Sequence, residues 1–315
     1  MTVAFLRLLG RLPLAWLHVL GALLGRLVYL ASTVYATRMR ENLRASGIYP
    51  DAEARAHAVR ACASHTGKTV VEVAKIWFDD EAAVAALMRC ETWGVVEEAH
   101  RDGQGLIFLT PHLGCFEACA AYIAQRMPIT VLYRTPRQRW LEPLMIRGRS
   151  RGQARTAPAT LRGVRMFYKA LQRGEAVGLL PDQAPQLGEG SWADFFGRPA
   201  YTMTLVRRLQ KQSRAAVIFV FAERLPHGEG YLLQFERYRG DEIDEAQLNC
   251  AVENLIRRCP TQYLWSYNRY KVPKGAIAPL EAGGNLAPTP TSSSHAEARS
   301  LSRATERSPQ PRGGE

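Results

Sequence analysis

The chain has 315 residues, 47% of them hydrophobic and 22% charged, which is enough apolar material for a large core and unlike a disordered chain. A formal net charge of +12 directs attention to anionic partners: a phosphorylated substrate, an anionic membrane surface or nucleic acid. Six scattered cysteines without a CxxC pair rule out a small disulfide scaffold, and they offer no metal-ligand spacing.

In chain order, the first feature is an apolar stretch from Leu12 to Ala36, in which Arg26 is the one full charge and His18 a potential second. A spanning helix needs about 20 mostly apolar residues. A transmembrane anchor, an interfacial helix and an apolar helix docked on the domain all fit. Arg7, Arg11 and Arg26 on an otherwise apolar helix suit a tilted or interfacial anchor whose arginines snorkel. Residues 1–37 are therefore expected to form a membrane anchor helix, 38–275 the main domain and 276–315 a disordered tail rich in Ala, Gly, Pro, Ser and Thr.

From Pro50 to Trp77 the spacing of Val59, Cys62, Val70 and Val73 predicts a helix. Short apolar runs then predict strands at 105–110, 128–133, 176–180, 215–222 and 231–235. Helices are expected between them at Glu117–Arg126, Arg139–Arg147, Leu161–Gln172 and Thr202–Lys211. This alternation predicts an α/β domain with a mainly parallel central sheet flanked by helices. From Arg134 to Arg173 there are eleven Lys or Arg and a single acidic residue, Glu142, so the positive charge belongs to the body of the chain.

The first strand runs into Pro111-His112-Leu113-Gly114-Cys115-Phe116-Glu117. In an open α/β sheet, chemistry collects beyond the carboxyl ends of the strands. Residues five apart on an ideal helix point about 140° away from each other. His112 and Glu117 therefore meet only if the histidine sits in a turn before the helix, which Pro111 and Gly114 favour. In that arrangement Glu117 would accept a hydrogen bond from one ring nitrogen and the other would take a proton from a hydroxyl. A helix-start histidine bonded to nearby backbone fits the same spacing.

Further motifs follow in one order. They are Gly148-Arg149-Ser150-Arg151, Leu180-Pro181-Asp182-Gln183, Phe195-Phe196-Gly197-Arg198-Pro199-Ala200, and a segment from Gln262 to Lys271 containing Trp265 and Arg269. Together with His-x4-Glu they resemble the lipid A biosynthesis acyltransferases of Gram-negative bacteria, the lauroyl/myristoyl branch of the lysophospholipid acyltransferase superfamily. The likeness covers roughly residues 5–273. It implies that His112 and Glu117 form the catalytic dyad, and that Arg149 and Asp182 are functional. Arg147 and Arg151 are added as neighbours able to hold a substrate phosphate or carboxylate. The resemblance further implies an acyl-acyl carrier protein donor and a Kdo-modified lipid A precursor as acceptor. The enzyme would sit at the bacterial inner membrane, in contact with membrane lipid, with its active site on the cytoplasmic side. No cofactor, metal or nucleic acid is expected.

Other readings stay open. Leu180-Pro181-Asp182-Gln183 stands where acyltransferases acting on glycerol phosphate carry a Phe-Pro-Glu-Gly-Thr-like segment, which argues against that branch. Another phospholipid or glycolipid acceptor, a non-enzymatic basic membrane binder, and a hydrolase using Cys115 or Cys119 are the alternatives. Trp192, Phe195 and Phe196 suit an acyl groove or an ordinary core equally, whereas Trp265 and Tyr267 read as structural.

Overall fold

The computed structural model describes residues 2–136 and 138–279. The tail expected from residue 276 thus lies, beyond 279, outside the described residues. The N-terminal segment forms three helices, α1 (Thr2–Gly10), α2 (Leu14–Ala31) and α3 (Thr33–Ala45), and the apolar stretch falls on α2 and the start of α3. Pro13, which cannot donate a backbone hydrogen bond, precedes α2, and Ser32 caps α3 by accepting from the Tyr35 backbone N–H. The long helix α4 (Ala52–Phe78) follows, capped by the Asp51 side chain.

The domain continues with α5 (Glu81–Ala86), β1 (Met88–Cys90), α6 (Gly94–Arg101), β2 (Leu106–Leu109), α7 (Phe116–Ala124) and β3 (Ile129–Tyr133). Next come α8 (Leu141–Arg149), β4 (Ala154–Pro158), α9 (Leu161–Gln172) and β5 (Ala176–Leu179). A hairpin of β6 (Gly190–Phe195) and β7 (Arg198–Met203) leads to α10 (Leu205–Ser213), β8 (Ala216–Arg224), β9 (Tyr231–Arg237) and α11 (Glu245–Arg258).

Seven strands form one sheet in the order β1-β9-β8-β2-β5-β3-β4. All neighbours are parallel except β8 and β9. The expected mainly parallel sheet is present, and the five predicted strands are β2, β3, β5, β8 and β9. The sequence reading missed the short edge strands β1 and β4, the hairpin, and helices α5, α6 and α11. It also took Thr202 and Met203, the end of β7, as the start of a helix that begins only at Leu205.

Alternation along β2 divides the core. Ile107 and Leu109 face one side, with Phe167, Val206 and Leu255 of α9, α10 and α11; Leu106 and Phe108 face the other, with Val96 of α6 and Ile123 of α7. Phe195, Phe196 and Trp265 belong to the first core and are buried there. That settles Phe195 and Phe196 as packing residues.

Helix α2 lies along α4 through glycines. A Cβ added at Gly67 would come 1.9 Å from the Gly21 carbonyl oxygen, and one at Gly25 would come 2.0 Å from that of Ala63. Only side-chain-free positions allow backbones to approach this closely. The opposite face of α2 is open: Trp16 is 71% exposed and Leu30 78%, with Leu23 and Leu27 between them also exposed. By length and composition α2 alone among the described helices is able to cross a membrane.

Candidate active site

Strands β2 and β5 are parallel neighbours with Leu109 opposite Leu179. Each continues through one residue and a proline, to His112 in one case and Asp182 in the other. Equal offsets from a matched register bring the two side chains to the same height beyond the sheet's carboxyl edge.

They meet there. His112 Nδ1 lies 2.8 Å from Asp182 Oδ1, and the His112 backbone N–H donates to Asp182 Oδ2 at 3.0 Å. Gln183 Nε2 is 3.1 Å from His112 Nε2. An amide nitrogen only donates, so both contacts agree on one tautomer, with the proton on Nδ1 and the lone pair on Nε2. Burial alone would raise the Asp182 carboxyl, but the adjacent imidazole and the hydrogen bonds from His112 bring it below the ordinary aspartate value. The edge of the Phe116 ring packs on the imidazole, with centroids 4.9 Å apart.

The turn that carries His112 is fixed on every side. Leu264 N–H donates to the His112 carbonyl, Gly114 N–H to the Gln262 carbonyl and Cys115 N–H to the Ala222 carbonyl. Gly114 has φ +60°, and a Cβ there would sit 2.0 Å from the Ala222 oxygen, so the turn requires glycine.

Glu117 is in the first turn of α7, as expected, but its carboxylate is engaged elsewhere. Arg149 donates to it through Nε at 3.0 Å and again through Nη2, and Trp77 Nε1 donates at 2.9 Å. The orienting hydrogen bond expected between the His112 ring and Glu117 is made instead to Asp182, which accepts from Nδ1–H. The reason is topological, since the register of β2 and β5 delivers Asp182 to Nδ1 while α8 delivers Arg149 to Glu117. Both oxygens of Asp182 are engaged by His112, one by the ring and one by the backbone. Arg149 is held charged: burial disfavours its ionised form, but the Glu117 carboxylate more than offsets this.

The Gly148-Arg149-Ser150-Arg151 motif acquires a local explanation. A Cβ on Gly148 would strike the Trp77 indole at 2.4 Å, so glycine lets α8 seat against that ring, and the Arg149 guanidinium lies over it, 5.5 Å from the centroid. Arg151, expected to bind substrate, instead donates to the Ile76 and Asp79 carbonyls and ties down the carboxyl end of α4. Arg147 is exposed near the end of α8.

An apolar cleft opens beside the Glu117–Arg149 pair, lined by Phe108, Phe116, Ile123, Ile129, Val131 and Leu180 among others. Cys115 and Cys119 are buried, and burial pushes both thiols well above their ordinary range. A nucleophilic cysteine needs the opposite environment. The sequence reading also missed Gln183 as a ring partner and the buried Glu72 and Arg224 behind the turn. The two Pro-containing strand exits, Thr110-Pro111-His112 and Leu180-Pro181-Asp182, were the available signal for the histidine–aspartate pairing.

Comparison with known proteins points to one family. A family model described as bacterial lipid A biosynthesis acyltransferase matches residues 1–272. The lipid A biosynthesis palmitoleoyltransferase of Escherichia coli K12 is 28% identical over 239 residues, 74% of this chain and 77% of that protein. The lauroyltransferase of the same organism is 23% identical over 281 residues, 87% and 91% of the two chains. Its myristoyltransferase is 26% identical over 197 residues, 59% and 60%.

Proposed function

The chain belongs to the bacterial lipid A biosynthesis acyltransferase family and is an acyltransferase, and from that premise we propose that His112 activates an acceptor hydroxyl on a Kdo-modified lipid A precursor for attack on an acyl-acyl carrier protein thioester. The single observation behind this reading is the Asp182–His112 pair, which keeps the proton on Nδ1 and the lone pair on Nε2, where the acceptor hydroxyl would take the place of the Gln183 amide. Asp182 holds the Nδ1 proton and stabilises the imidazolium as Nε2 takes the hydroxyl proton. The freed oxygen adds to the thioester carbonyl, the C–S bond breaks, and Nε2 returns the proton to the departing sulfur. General base and acid steps of this kind contribute typically about 10²–10⁴-fold each.

In this reading Glu117 and Arg149 act as a unit beside the reaction. Glu117 keeps the guanidinium in place, and Arg149 faces an anionic group of donor or acceptor. The apolar cleft next to them suits a saturated acyl chain. The exposed face of α2, with Arg7 and Arg11 at one end, rests on the inner membrane and presents the site to lipid on the cytoplasmic side. Membership of the family sets aside the non-enzymatic binder, and the buried thiols speak against the cysteine hydrolase.

The test is transfer from acyl-acyl carrier protein to a labelled Kdo-lipid A precursor by the full chain in detergent, for wild type and His112→Ala. Transfer by wild type that vanishes in a folded variant is the expected outcome. Transfer to a different lipid would overturn the acceptor assignment, and equal activity in both proteins would overturn the base.

A further inference from the structure

Four of the hydrogen bonds that fix the His112 turn come from a carboxylate or from other backbone groups, but the Gly114 carbonyl takes its bond from a side chain. Arg224 Nη2 donates to it at 2.8 Å from the end of β8. The same nitrogen donates to Thr69 Oγ1 at 2.6 Å, and Arg224 Nε reaches both Glu72 oxygens at 2.9 Å. Both side chains of this ion pair are only 1% exposed. Glu72 also contacts His18 Nε2 of α2 at 2.6 Å. The Arg224 backbone exchanges two further bonds with the Gln262 side chain, whose own backbone carbonyl receives Gly114 N–H.

A fully buried ion pair is poor value as a stabiliser, because desolvating both charges offsets most of their attraction and apolar replacements often hold a core as well. What an apolar pair cannot do is donate to the Gly114 carbonyl. We infer that the Glu72–Arg224 pair positions His112 for catalysis by fixing the turn through Gly114, and that His18 makes helix α2 part of the same support. This rests on His112 being the general base. Neither residue touches the reacting atoms, so each is a positioning residue, and the effect belongs in kcat. A displacement near 1 Å at a reacting group is enough for about a 10²-fold loss.

The decisive comparison uses the full chain in detergent as wild type, Glu72→Leu/Arg224→Met, Arg224→Lys and His112→Ala, with kcat, KM, the pH profile of kcat and Tm measured for each. The double variant is expected to melt near wild type, keep KM within about twofold and lose about 10–100-fold in kcat. The acid limb of its pH profile should stay in place, because the Asp182–His112 pair is untouched. If the double variant does not fold, Arg224→Lys carries the test: its ammonium pairs with Glu72 but lacks the planar fork that reaches Gly114 as well, so the same kcat loss is expected. A folded variant with wild-type kcat overturns the inference, and so does an acid limb that moves, which would place the pair in the proton chemistry. Should His112→Ala retain full activity, the base assignment fails first. A dead His112→Ala beside a fully active Arg224→Lys or double variant sinks the positioning role alone.

Discussion

An imidazole with a carboxylate on one nitrogen is a base only at the other, so the identity of the carboxylate matters as much as that of the histidine. Here the nearer acid in sequence, Glu117, is paired with Arg149, and the acid on Nδ1 is Asp182, which is 70 residues away. Asp182→Asn should therefore fold and bind substrates, yet lose about 10²–10⁴-fold in kcat. An amide can present its N–H to Nδ1 and stabilise the wrong tautomer, the effect seen when the aspartate of a serine protease triad is replaced by asparagine. Steady-state kinetics on the purified variant checks this; a KM effect with kcat preserved would contradict it. The sequence showed His112 because it follows a buried strand and a proline. It did not show which carboxylate would face the ring, since a nearest-neighbour argument favours Glu117 and the decision is made by strand register.

Elements were legible in proportion to how continuous their apolar pattern is. Parallel strands buried on both faces read as unbroken apolar runs, as in Leu106-Ile107-Phe108-Leu109, and were visible. Strand β4, Ala154-Arg155-Thr156-Ala157-Pro158, sits at the sheet edge with a charged and a hydroxyl residue in its middle and gives no such signal. The hairpin turns through Phe196 and Gly197, both at positive φ, a two-residue connection that the Phe-Phe-Gly-Arg motif concealed. Helix α2 was visible as apolar, but its docking depends on Gly21, Gly25 and Gly67, whose only property is to leave room. Gly67→Val should push α2 off α4, since its Cβ would fall 1.9 Å from the Gly21 oxygen. Arg26, bonded through Nε to Ser64 Oγ of α4 at 2.9 Å, then loses that bond and the helix around it loosens. Limited trypsin digestion in detergent should cut at Arg26 early in the variant and late in wild type; equal rates would show that the glycine contact does not hold the helix.

On the scale of the whole molecule, two buried titratable groups, Glu72 and His65, both resist protonation in the folded chain. Glu72 is brought down to about 2 because, although burial opposes its charge, Arg224 and His18 favour it more strongly, against an ordinary value of 4.5. His65 is held neutral down to about 3, first by burial and then by the field of Arg224, against an ordinary 6.5. Both groups bind protons more readily in the unfolded chain, so each contributes stability that is complete above its ordinary value and disappears as pH falls toward its folded value. Tm should begin to drop below about pH 6.5 through His65, and the drop should steepen between about 4.5 and 2 through Glu72. In Glu72→Gln the second phase should flatten, and a melting series in buffered detergent would show whether it does.

The support behind the His112 turn is spread widely along the chain, and that spread fixes a sequence of events in synthesis. His18 precedes Glu72 by 54 residues, and Glu72 precedes Arg224 by 152. At about 5–20 residues per second, those intervals are roughly 3–11 s and 8–30 s. Helix α2 therefore leaves the ribosome seconds before α4 exists to cover its glycine face. Throughout that interval the glycine face of α2 lacks the helix it packs against in the folded chain. The His18 end of the support is thus made first, and Arg224, which reaches the turn itself, is added last.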